Sequence, residues 1–309
     1  MHKYTRILVW IVFFFMISAT AQARSLQVVT TTSDLASIVE SIGGSKVSVR
    51  NLVKGNRDPH FVEVRPSMVT KVRDADLFVI VGMDLDIWAR SLLEAARNPN
   101  VRPGGVGYLD TSTRIARLEV PEVEVDPSMG HLHVWGNPHY WLDPLNAERI
   151  AEEAAGTLSK LSPEDAAYFE SNLAAFREVL KKKMEEWRSL LGPFRGCRLA
   201  TYHRSWPYFL SRFGLESAGE LEPKPGVPPT PAHLQEIVRS VPEREIRLIL
   251  TEVFYDQNSA KFVSEKTGIP AITVANSVGG TAEAKDYVSM IDAIVKSVAE
   301  ALKKEAAHA

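Results

Sequence analysis

The sequence predicts an α/β protein of two lobes, each a parallel sheet flanked by helices, joined by one long rigid α-helix. Three observations point there. Short apolar, β-branched runs such as Leu26–Thr31, LFVIV at 77–81 and IRLILT at 246–251 match strands buried on both faces of a sheet. Segments of helical period separate these runs, which is the rhythm of parallel βαβ units. That rhythm stops in the middle of the chain, where Ala, Glu, Lys and Leu dominate, and resumes beyond residue 193.

The elements follow in order. Lys3 and Arg6, the apolar run Ile7–Ile17 and the Ala21-Gln22-Ala23 box form a secretory signal over residues 1–23, too short in its apolar part to span a bilayer. The N-terminal lobe is expected over 24–146. Its first strand is Leu26–Thr31; Thr32-Ser33-Asp34 caps a helix over Leu35–Ile42, and Gly43-Gly44 ends it. Val47–Val53 is a strand, Pro66 opens a helix through Val72, Leu77–Val81 is a buried strand, Ile87–Ala96 a helix and Val106–Leu109 a strand. A helical segment occupies 147–192. Within it Ser162-Pro163-Glu164-Asp165 is a helix start with Pro at the first helical position. From there Phe169, Leu173, Phe176, Leu180, Met184, Trp187 and Leu191 recur at intervals of three and four until Gly192-Pro193, the stripe of one amphipathic helix linking the lobes. The C-terminal lobe, 193–309, has strands at Cys197–Tyr202, Ile246–Thr251 and Ala271–Ala275. Its helices are Trp206–Phe213 with Gly214 as C-cap, Pro231–Val241, Ser259–Thr267 and Tyr287–Lys304.

Composition narrows the partners. Lysine and arginine number 36 against 38 acidic residues, a net charge of −2, which gives no support for nucleic-acid binding. Cys197 is the only cysteine, so no intrachain disulfide forms, and none stands at the signal junction. The expectation is an exported, unlipidated monomer of a bacterial periplasm. The Pro-rich run 222–231 is explained by rigid extended backbone.

The chemistry lies in three histidines in similar settings: Asp58-Pro59-His60, Asn137-Pro138-His139 and Tyr202-His203-Arg204-Ser205-Trp206. Neutral imidazole is the commonest protein ligand for Zn²⁺. In open α/β sheets ligands sit at the carboxyl ends of strands. His203 follows one strand there, Glu252 ends another and Asn276 ends a third. Asp58 or a backbone carbonyl is the expected partner of the second ring nitrogen of His60. His131-Leu132-His133 suits a solvent-exposed loop better than a metal-collecting one, and Trp135, Trp141 and Trp206 either shield the site or belong to the core. Three histidines with an open fourth position also describe a zinc hydrolase with Glu252 as general base. No H-E-x-x-H helix supports that alternative.

Asp58-Pro59-His60 with Pro66-Ser67 and Ala75-Asp76-Leu77, the run Asn137-Pro138-His139-Tyr140-Trp141-Leu142-Asp143-Pro144, and Tyr202-His203-Arg204-Ser205-Trp206-Pro207-Tyr208-Phe209 together carry a resemblance. In order and spacing they resemble the zinc/manganese solute-binding proteins of bacterial ABC importers, the TroA-like superfamily, over essentially the whole mature chain. The resemblance implies a metal held between two α/β lobes, His60, His139 and His203 as ligands, delivery to an ABC permease of the inner membrane, and no enzymatic activity. An adhesin role on the same fold is a further alternative. The chain departs from the pattern at Ala275-Asn276-Ser277, where many members have an aspartate, so Glu252, water or Asn276 is left for the fourth position. A set of three imidazoles with at most one carboxylate favours Zn²⁺ over Mn²⁺.

Overall fold

The computed structural model describes residues 24–122 and 133–308; the expected signal segment 1–23 and His131 lie outside them. Strands β1 (Leu26–Thr30), β2 (Val47–Asn51), β3 (Leu77–Ile80) and β4 (Tyr108–Asp110) form a sheet of order β2-β1-β3-β4. Strands β5 (Arg198–Thr201), β6 (Glu216–Glu220), β7 (Ile246–Glu252) and β8 (Ala271–Val274) form a second, of order β6-β5-β7-β8. Every pairing in both is parallel. Each lobe therefore repeats one topology, with its first and third strands central and the direction of strand order reversing between them.

Alternation along the strands buries both faces of each sheet. In β1, Val28 faces a core shared with β3, the central helices and the C-terminal helix, while Val29 faces a separate outer cluster with Phe78 and Ile80. The second lobe has its own outer cluster around Ala200, Ile249 and Leu234. The helices are α1 (Ser33–Gly43), α2 (Pro66–Arg73), α3 (Ala89–Ala96), α4 (Pro144–Leu161), α5 (Ala166–Leu191), α6 (Pro207–Phe213), α7 (Pro231–Glu243), α8 (Gln257–Thr267) and α9 (Tyr287–His308).

The long helix forms as its stripe requires. All seven apolar residues from Phe169 to Leu191 are buried along the 26-residue α5, which a short 3₁₀ turn flanks at each end. Burial of each side chain of this size contributes about 1.5–3 kcal/mol. The shared core runs without a break from β1 through α4 and α5 to α9, so the lobes are joined by packing as well as by chain. Polar ties reinforce the seam. Val278 N–H and Tyr287 N–H donate to Asp34 Oδ1 and Ser37 Oγ of α1, both at 2.9 Å. Arg212 of α6 clamps Asp143, the N-cap of α4, with two bonds of 2.6 Å. At Gly55 the two lobes touch backbone to backbone: a Cβ there would lie 2.0 Å from the carbonyl oxygen of Val278.

Three local differences from expectation have physical causes. Helix α3 begins at Ala89 because Met83 and Asp84 take left-handed backbone angles, φ 49° and 64°, in the turn before it. Strand β6 was not anticipated; its sequence ESAGE has no apolar alternation, since it is an edge strand paired only with β5. Cys197, expected as the first residue of its strand, precedes β5 half-buried, with Arg247 Nη1 donating to its Sγ at 3.2 Å.

Candidate metal centre

Each of the three histidines is held through its Nδ1, two by the same local device and one by a distant carboxylate. His60 lies in the loop after β2, where Asp58 Oδ1 accepts from His60 N–H at 2.9 Å and contacts its Nδ1 at 2.7 Å. Trp88 Nε1 donates to Pro59 O at 3.0 Å and fixes the intervening proline. In the loop before α4, Asn137 Oδ1 repeats the pattern on His139, 3.0 Å from N and 2.9 Å from Nδ1. The proline between each pair restricts its own φ and so stiffens both loops. His203 follows the C-terminal end of β5, and Glu222 Oε1 makes a short bond to its Nδ1. Glu222 is itself held by Gly226 N–H, which donates to Oε2 at 2.6 Å.

These placements converge. Coordinating atoms of His60, His139 and His203 all lie within 4.8 Å of one another. Their ring centroids are 5.2, 5.1 and 5.3 Å apart. His139 and His203 are buried and His60 is half-buried. With each Nδ1 engaged, Nε2 is the nitrogen each ring has for coordination, the tautomer arrangement that outer oxygen acceptors impose on metal-binding histidines.

Burial pulls the His139 pKa well below its ordinary value, and the neighbouring His60 and His203 add to the effect, so this ring stays neutral. Burial also pulls on His203, but the hydrogen bond and charge of Glu222, helped by Glu252 and Asp58, more than offset it and raise the value. For Asp58 burial works upward, yet the hydrogen bond and charge of His60 prevail and lower it.

Glu252 stays outside the cluster. It ends β7 buried, and Trp206 Nε1 donates to its Oε1 at 3.0 Å, which draws the carboxylate toward the indole. Burial pushes its pKa up to about 7 against the opposing charge of His203. Asn276 is buried just beyond the end of β8, its backbone carbonyl accepting from Trp141 Nε1 at 2.9 Å and its side-chain oxygen buried without a partner. Trp141 and Trp206 are buried walls of the site, whereas Trp135 is exposed, with the Arg117 guanidinium 5.5 Å from its ring centre. Sequence reasoning missed Glu222, which stood in a run read only as a rigid loop, and nothing local marks it as a histidine partner. His133 also departs from its expected place in solvent: it is half-buried, its ring centroid 5.2 Å from that of His60.

Two parallel α/β lobes with three oriented imidazoles between them define a bilobal solute-binding protein whose cleft suits a divalent cation. Comparison with known proteins gives the family. The chain matches the profile described as "ZnuA: Zinc-uptake complex component A periplasmic" over residues 28–301 and belongs to that family. Among curated relatives, the manganese ABC transporter substrate-binding lipoprotein PsaA of Streptococcus pneumoniae is 28% identical over 93% of this chain and 92% of its own length. The zinc-binding lipoprotein AdcA of the same species is 24% identical over 99% of this chain, which spans only 62% of that protein. A crystal structure of ZnuA shares the fold at a TM-score of 0.75 and 24% identity, covering 90% of this chain and 99% of that one. The family consists of metal-binding, substrate-binding components of ABC importers that work with a membrane permease; they are not enzymes.

One expectation is corrected here. PsaA and AdcA are named lipoproteins, and this finding stands against the reading of an unlipidated periplasmic protein. That reading rested on cysteine placement in the N-terminal segment, whose residues lie outside the described part of the chain. Among the described residues no helix is long and apolar enough to cross a membrane.

Proposed function

We propose that the chain carries Zn²⁺ in preference to Mn²⁺, binds it through His60, His139 and His203, and passes it to the permease of its importer. The observation that carries this reading is the common engagement of Nδ1 in all three rings, which commits each to coordinate through Nε2. A donor set of imidazole nitrogens suits Zn²⁺, while Mn²⁺ favours oxygen-rich sites. Relatives named for both zinc and manganese frame the choice. Glu252 is proposed as a nearby anion that ionises when the cation arrives and steadies it through His203, its Oε1 held by Trp206 and its Oε2 unengaged. Residues 24–146 and 193–309 are proposed as the two lobes, with 147–192 as the connecting helical segment.

Elemental analysis and chelator competition on the purified protein test the choice. Zn²⁺ should outcompete Mn²⁺ by orders of magnitude, and His139→Ala should weaken Zn²⁺ by more than the roughly 10–100-fold that loss of an outer partner costs. Preferential Mn²⁺ retention, or Zn²⁺ binding indifferent to His139→Ala, would overturn it.

A further inference from the structure

Three imidazoles leave one corner of a tetrahedral Zn²⁺ to be filled. At the strand ends, Glu252 has one carboxylate oxygen on Trp206 Nε1 and the other buried without a hydrogen-bond partner, and Asn276 is a neutral amide. A fourth imidazole stands beside the group. The ring centroid of His133 is 5.2 Å from that of His60 and 6.5 Å from that of His139. Four imidazoles bound tetrahedrally at ordinary Zn–N lengths would place their centroids roughly 5.2 Å apart. The first three rings already keep that spacing, at 5.1–5.3 Å. His133 meets it toward His60 and exceeds it toward His139 by about 1.3 Å, and it stands outside the group whose ligand atoms lie within 4.8 Å, so ligation requires its side chain to rotate inward.

The surroundings agree. His133, His139 and His203, with Glu119 and Arg204 but not His60, line one cavity of about 20 Å³ beside the group, enough for a single water-sized occupant. Gly136 N–H donates to His133 O at 3.3 Å and closes the turn after His133, and Asn137 N–H donates to Leu118 O at 2.8 Å and ties that turn to the chain before it.

We infer that His133 is the fourth ligand of the carried ion, completing an all-imidazole site in a chain that has Asn276 where a carboxylate was expected. This rests on the ligand reading above and deepens it. Four neutral ligands leave the full charge of the cation on the site, and Asp58 and Glu222 balance it through the Nδ1 bonds of His60 and His203. An all-nitrogen set of this kind also disfavours Mn²⁺.

X-ray absorption at the zinc edge of the zinc-loaded full chain counts imidazoles directly. The unaltered protein should show four, and His133→Ala and His133→Gln should show three with one oxygen in their place. Zinc affinity in chelator competition should fall at least about 10-fold in both variants, the lower bound set by residues one shell further out. Melting of the metal-free variants should match that of the unaltered chain. Three imidazoles in the unaltered protein, or unchanged count and affinity in the variants, would sink this inference and leave the three-histidine site standing. Absence of zinc binding, or binding indifferent to His139→Ala, would sink both.

Discussion

The two lobes repeat one sheet topology yet use its switch point in opposite ways. In the first lobe the carboxyl ends of β1 and β3 are closed by the protein's own aspartate. Asp86 accepts from Thr31 Oγ1 and Val81 N–H at 2.7 Å and from Gly82 N–H at 3.0 Å, buried among them. In the second lobe the same position, the ends of β5 and β7, presents His203 and Glu252 to the cleft. The first lobe contributes its histidines from elsewhere, in the loops after β2 and β4. A switch point whose polar groups are consumed internally serves stability, and one that keeps an imidazole nitrogen directed at the other lobe's histidines is left for a ligand. Topology alone does not distinguish the two cases.

Paired substitutions would test that division most strongly. Asp86→Ala strands three buried donors and should cost about 2–4 kcal/mol of stability by chemical denaturation. His203→Ala should leave the metal-free chain near its original stability while removing high-affinity zinc binding. If both variants lost stability equally, the contrast between the lobes would be gone.

A smaller effect sharpens it. Glu222→Ala removes the acceptor that orients His203 and should weaken zinc binding about 10–100-fold in competition titrations, with no change in how many ions bind.

A pH-dependent test concerns the seam. Burial pushes the pKa of Asp34 up to about 7 from 3.8, partly opposed by the N–H of Val278 and the hydroxyl of Ser277. Between those values the folded chain keeps a proton that the unfolded chain has released, so stability falls as pH rises from about 4 to 7. Denaturation profiles of Asp34→Asn should lose that slope; a profile identical to that of the unaltered protein would assign the slope to other groups.

Much of this was legible in the sequence, for reasons that differ by residue. Central strands β3 and β7 are buried on both faces, so LFVIV and IRLILT announce themselves, and the stripe from Phe169 to Leu191 leaves no alternative to a long helix. Strand β6 was illegible because an edge strand held by backbone pairing alone needs no apolar pattern. His60, His139 and His203 stood out through their repeated local settings, and Asp58 was foreseen as a partner because it lies two residues from its histidine. Glu222 is separated from His203 by 19 residues, and only the β5–β6 pairing brings it near. His133 was misjudged because a histidine in a Gly-flanked loop carries no local mark of burial.

Gly55 carries a practical consequence. One added methyl group there would collide with the carbonyl of Val278 in the facing lobe and touch no histidine of the cluster. Gly55→Ala is therefore a wedge rather than a ligand change. It offers a steric handle on how far the cleft stands ajar at rest, separate from the chemistry inside it, and a starting point for turning this scaffold into a sensor whose two halves report occupancy by their spacing.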